Sequence, residues 1–222
     1  MNILRAREGV SKMHVTTKNK LWRIAHHMKG MPFIRTARAD YTAGDALAHL
    51  VLGAGGAVHG MKKLVKLAFL AQYDIEGSRA VEYLCGGRPL MRVEFRIWLF
   101  GPSSLDIYGA LAGRGFSTRD EREGDRHYVV VKYRGRRPRL PEQAARRIDR
   151  VVEKYGSASG QELEDLVNAL LGLDEERKER YAGWPVRRYL ESEGFNAARA
   201  ELCGEESQMH GESKQESRLW RI

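Results

Sequence analysis

The chain has 222 residues, 42% hydrophobic and 30% charged, with a formal net charge of +9. Such a composition supports a packed core under an ionic surface and excludes a fibrous or disordered polypeptide; no apolar run reaches the ~18–20 residues of a membrane span. The basic excess suits a polyanionic partner, because each phosphate neutralised releases condensed counterions.

Residues 1–40 hold nine Lys or Arg against Glu8 and Asp40, with no sustained period. They read as a flexible basic arm with a short helix at Lys20–Met28. The arm lacks the apolar stretch of a secretory signal, and Met13, Met28 and Met31 are alternative starts. Thr42–Leu52 reads as a helix capped by Thr42, with Ala46, Leu47, Leu50 and Val51 at helical spacing. Gly53–Gly56 breaks it. A second helix follows over Gly60–Tyr73. Leu64, Leu67 and Leu70 form a slanted ridge expected to be buried, and Lys62, Lys63 and Lys66 are expected to face outward.

Ile75–Leu90 is mixed and rich in glycine, with Ala80–Cys85 read as a short strand or a helical turn. Arg92–Phe100 alternates as a strand with one buried face. Ser103 opens a third helix, with Asp106 completing an S-x-x-D capping box. Its predicted core stripe is Leu105, Tyr108, Leu111 and Ala112. Ser104, Asp106, Ile107, Gly109, Ala110 and Arg114 then face away from the core. Phe116–Tyr133 reads as a hairpin turning at Arg122–Asp125, and residues 134–141 as a basic connector. Helices are expected over Glu142–Tyr155, Gly160–Leu171 and Glu175–Glu193, then a disordered tail over 200–222. Trp98, Trp184 and Tyr181 read as core residues, while Trp22 and Trp220 could anchor a partner.

The fold expected from this order is mainly α with a small β-hairpin (α+β): a winged helix-turn-helix over 41–140, followed by a helical region over 141–199 packed on it. In such a unit the third helix lies in a groove of DNA and the hairpin touches the backbone. Candidate nucleic-acid contacts are Ser103, Ser104 and Arg114 on the third helix, and Arg119, Arg122 and Arg126 with His127 on the hairpin. Lys132, Arg134, Arg136, Arg137 and Arg139 add five cations in eight residues. Lys62, Lys63 and Lys66 complete the set. A cluster of this kind binds phosphate without reading sequence. Asp120, Glu121, Glu123 and Asp125 on the hairpin oppose it.

Two segments carry a resemblance. Gly60-Met61-Lys62-Lys63-Leu64-Val65-Lys66-Leu67-Ala68-Phe69-Leu70 resembles a G-x-x-K-L-x-K-L-x-[FY]-L element. Phe100-Gly101-Pro102-Ser103-Ser104 resembles Y-G-P-[FY]-S. Both are elements of small prokaryotic winged-helix proteins of the YwgA-like and antitoxin-associated Panacea type. Phe100 and Ser103 depart from the pattern. The resemblance implies a regulatory or neutralising role and no known chemistry.

The leading expectation is therefore a DNA-binding regulator, not an enzyme, without cofactor or metal, that binds double-stranded DNA and no membrane. An antitoxin-type module gripping a protein through its C-terminal helices is the alternative, and a homodimer is compatible with either. A weaker alternative is a nucleotide-binding enzyme in which a strand enters the Gly53–Gly56 turn and a helix N-terminus holds a pyrophosphate. The seven histidines show no metal-ligand spacing. Cys85 and Cys203 form no C-x-x-C pair and no disulfide framework, which fits a reducing, cytoplasmic compartment.

Overall fold

In the computed structural model the described residues are 41–203, apart from 124 and 125. The expectations for the arm at 1–40 and for the tail beyond 203 lie outside them. Helix α1 is Ala43–Gly53. Thr42 caps it: its hydroxyl accepts from the Asp45 N–H while the Asp45 carboxylate accepts from the Thr42 N–H, a reciprocal box that satisfies two otherwise orphaned donors. Strand β1 (Ala57–His59) follows the glycine turn, then helix α2 (Met61–Gln72). Leu64, Leu67 and Leu70 of α2 are buried, as the ridge requires.

Between α2 and the next long helix lies a run of short strands: β2 (Tyr73–Glu76), β3 (Arg79–Cys85), β4 (Arg88–Pro89), β5 (Arg96–Trp98) and β6 (Gly101–Ser103). Helix α3 (Leu105–Leu111) leads into the long hairpin β7 (Phe116–Glu123) and β8 (Arg126–Tyr133). Helices α4 (Glu142–Tyr155), α5 (Gly160–Leu171), α6 (Glu175–Arg180) and α7 (Val186–Ser192) follow, and β9 (Asn196–Cys203) ends the described chain.

The strands form three sheets. β8 runs antiparallel between β1 and β7; β3 is flanked by β2 and then β4 on one side and by β9, in parallel, on the other; β5 and β6 make a small hairpin. This corrects the expectation of a mainly α winged helix-turn-helix with one hairpin. Of the described residues 43% are helical and 28% lie in strands, spread over several sheets, so the class is α+β. The physical reason is non-local pairing. β3 finds its parallel neighbour more than 110 residues later, at Arg79↔Asn196, which no local period could announce. Residues 200–203, expected to begin a disordered tail, belong to that strand.

One continuous core joins these parts, with Leu47 and Leu50 of α1, Leu64 and Leu67 of α2, Ile148 of α4 and Leu163 of α5 at its centre. Phe69, Tyr73 and Phe95 pack as an aromatic trio, Phe69 and Tyr73 stacked and Phe95 edge-on to both. Arg147 of α4 donates to the Leu70, Ala71 and Tyr73 carbonyls at 2.8–3.3 Å. A cation there satisfies orphaned carbonyls at the α2 C-terminus and suits the helix dipole.

Cys85 and Cys203 form a disulfide between β3 and β9, which overturns the expectation that they stay apart. With both thiols paired, cysteine usage no longer argues for a reducing compartment. Replacing Cys203 with Ser is expected to cost about 2 kcal/mol, toward the low end of the range for native disulfides. The value is low because β9 still pairs with β3 along its length. Chemical denaturation of the variant, set beside wild type with and without a dithiol reductant, measures it; an unchanged midpoint in both comparisons would show that the bond adds nothing.

Candidate nucleic-acid interface

The hairpin and the connector behind it supply an open surface that carries Arg119, Lys132 and Arg134. Strand alternation splits β8 into two faces. Val131 pairs with Val58 of β1 and Thr118 of β7, and it turns toward the core. Lys132 points the other way, opposite Ser117, with Arg119 two residues further along β7 on that same face. Arg134 continues the alternation past the end of β8. Ser117, Thr118, Arg119, Lys132 and Arg134 line one shallow, open groove. Glu121 reaches Lys132 at 3.6 Å and partly offsets its charge.

The root of this groove is fixed by close packing. Phe116 and Tyr133 pack with ring centroids 4.8 Å apart. Gly115 stands at φ +91°, and a Cβ there would come within 2.6 Å of the Tyr133 ring, so only glycine fits. The Arg134 N–H donates to the Gly115 carbonyl at 2.9 Å, and the Tyr133 hydroxyl donates to the Arg136 carbonyl at 3.3 Å. The connector thus leaves the sheet in a defined direction. Arg134, Arg136, Arg137 and Arg139 are exposed, and none makes an ion pair with another described residue.

The other candidate residues do not join this surface. Ser103 is half-buried on β6. Ser104 is buried, its hydroxyl without a partner, and it is the N-cap of α3 with no side-chain capping bond. The expected Ser103–Asp106 box is therefore absent; the Asp106 carboxylate instead accepts the Glu94 N–H at 3.0 Å. Arg114 and Arg122 are exposed, and the side chain of Arg126 lies outside the described residues.

All three lysines of α2 face the chain itself. Lys62 pairs with Glu164 at 2.5 Å and donates to the Gln161 amide oxygen at 3.0 Å. Lys63 donates to the Gly156 carbonyl at 2.6 Å, and partial burial pulls its pKa down. Lys66 is only 2% exposed. Its ammonium donates to the Phe100 and Pro102 carbonyls at 2.5 and 2.9 Å, and burial lowers its pKa to about 8, partly offset by Glu164. The outward lysine face is thus corrected: α5 packs over it, and a long side chain can carry its charge inward where carbonyls await it. The two segments that carry the family resemblance meet at this contact. Gly101 sits within it at φ +74°, where a Cβ would lie 2.1 Å from the Asn168 side-chain oxygen.

Helix α3 is turned the other way from expectation. Ile107 is its buried residue, while Leu105 and Tyr108 are exposed. The preceding strand sets this phase. Pro102 and Ser104 point inward, and Ser104 is still extended, so Leu105 must point outward. Trp98, expected in the core, is exposed too, beside Leu99 and Phe100 at the β5–β6 turn. Sequence reasoning missed this apolar surface because the larger side chains were assigned to the interior.

The glycine turn at 53–56 follows α1 and precedes β1. The order strand, glycine turn, helix that would cradle a pyrophosphate is not present there. His49 of α1 is buried and lies 2.9 Å from an Asp149 oxygen of α4. Among the described residues no three metal-ligating side chains gather, and no helix is long and apolar enough to cross a membrane. Comparison with protein-family models, with curated proteins and with solved structures finds no match.

Proposed function

We propose that this chain binds duplex DNA through the β7–β8 face and the connector behind it. The observation that carries this reading is the convergence of Arg119, Lys132 and Arg134 on one open groove, continued by the exposed Arg136, Arg137 and Arg139. The main chain that carries Arg134 and Arg136 is already held, so less freedom is lost when these side chains meet phosphate, and each contact releases counterions. A regulatory role without catalysis follows from the same reading and from the resemblance of the two segments that meet at Lys66.

The contact is with the backbone. Helix α3 offers apolar side chains outward instead of the polar groups that read base edges, so the sequence preference is expected to be weak. Fluorescence anisotropy with unrelated duplexes tests this: comparable affinities support it, and a preference of a hundredfold or more for one sequence contradicts backbone binding. A second reading, a protein-interaction module, is favoured by the exposed apolar surface on α3 and the β5–β6 turn. It moves the partner surface away from the C-terminal helices, since α5 is occupied against α2.

A further inference from the structure

We propose that a second copy of this chain docks on the face formed by Trp98, Leu99, Phe100, Leu105 and Tyr108. These five side chains are 41–68% exposed. Leu99 and Phe100 form the two-residue turn between β5 and β6, closed by the Trp98↔Gly101 pair. Trp98 and Arg96 share the outer face of β5, because Ile97 between them is buried. On β6 Gly101 and Pro102 are buried and Ser103 is half-exposed, and the buried, extended Ser104 then turns Leu105 outward. Tyr108 lies one helical turn further on the same side of α3. The surface is therefore one face that runs from hairpin to helix.

Its size suits a dimer. On the scale of ~150–250 Å² for a large apolar side chain, the exposed parts come to roughly 500 Å². That is near the upper limit of about 300–600 Å² for the largest patch on a monomer. With a polar rim added, it approaches the ~800 Å² per partner of a stable complex.

The rim identifies the occupant. Glu94 and Asp106 stand on it with Arg96 and with Lys62, whose ammonium lies 5.5 Å from the Phe100 ring centroid. A nucleic acid or a strongly acidic peptide would meet the carboxylates, and a strongly basic one would meet Arg96 and Lys62. A surface with both signs around an aromatic centre matches itself when two copies pair about a two-fold axis. Docking of this kind leaves the basic groove for another ligand and does not depend on DNA binding.

Analytical ultracentrifugation of the full chain without DNA, across the micromolar range, decides the matter. Wild type is expected to sediment at twice the chain mass. Leu105→Asp and Leu99→Ser are each expected to shift it to the single-chain mass, and Leu105→Met to keep the dimer. Both sites of change are exposed, and far-UV circular dichroism melts identify any variant that fails to fold. A wild-type chain that stays single over the whole range overturns the proposal and leaves the face to a different partner. A dimer that survives both Leu105→Asp and Leu99→Ser also overturns it, because the contact is then elsewhere.

Discussion

Lys66→Ala is expected to destabilise the chain by about 3–5 kcal/mol, as much as a buried leucine does. Two losses combine. The side chain is among the largest fully buried ones, so truncation leaves a cavity. The Phe100 and Pro102 carbonyls lose a charged donor, and the β5–β6 turn loses the tie that holds it to α2. Lys66→Met keeps most of the volume and is expected to cost about 1–3 kcal/mol, chiefly the two orphaned acceptors. Urea titration of the two variants beside Leu67→Ala separates the effects; a Lys66→Ala cost under about 0.5 kcal/mol, typical of surface positions, would show the lysine faces solvent.

The same residue predicts a pH dependence. Its folded pKa is about 8 against an ordinary value of 10.5, because burial disfavours the ammonium. Below about pH 8 the group is protonated in both states and the cost of burying its charge is present in full. Between about pH 8 and 10.5 the unfolded chain binds more protons, so this group's contribution to stability rises with pH. Relative to Lys66→Met, wild type is expected to gain on the order of 1–3 kcal/mol between pH 7 and pH 10. A constant difference across that interval would contradict the burial of a charged lysine.

Replacing Arg134, Arg136, Arg137 and Arg139 together with Ala carries the second large effect. If each meets one phosphate, the slope of log affinity against log salt becomes shallower by roughly 3–4 units, and affinity at low salt falls by about 10²–10³. The loss should be the same for unrelated duplexes, since these side chains position the chain and read no base. Stability should change little, because all four are exposed and make no ion pair with another described residue. Lys62→Ala and Lys63→Ala are the contrast: their contacts are with α5 and the turn before it, so they should leave DNA affinity unchanged.

Local signals in the sequence were reliable where the contacts they imply are local. Thr42 caps α1, the leucine ridge of α2 is buried, and β7 and β8 pair over their whole length. Of the inserted strands only β3 leaves a local trace, at Ala80–Cys85, which reads equally as a helical turn; β2 and β4 are short, and β9 pairs with a strand more than 110 residues away. The Cys85–Cys203 bond shares that cause: spacing alone cannot bring two distant cysteines together. A lysine at helical spacing with two others reads as a solvated face, and nothing local marks the carbonyls of the Phe100 turn that draw Lys66 inward. In α3 two stripes compete. The larger, Leu105 and Tyr108, looked like the core, yet the alternation inherited from β6 turns Ile107 inward. Of the candidate contacts, the structure gathers Arg119, Lys132 and Arg134 and assigns the α2 lysines to internal work.

The proposed function requires the hairpin face and its connector to hold duplex DNA. Anisotropy of a labelled duplex, titrated with wild type and with the four-arginine variant from about 50 to 200 mM salt, tests it most directly. Wild type is expected to bind with an affinity that falls steeply with salt, and the variant to bind more weakly with a shallower slope. No binding by wild type at low salt, or a variant with the same affinity and the same slope, would contradict it.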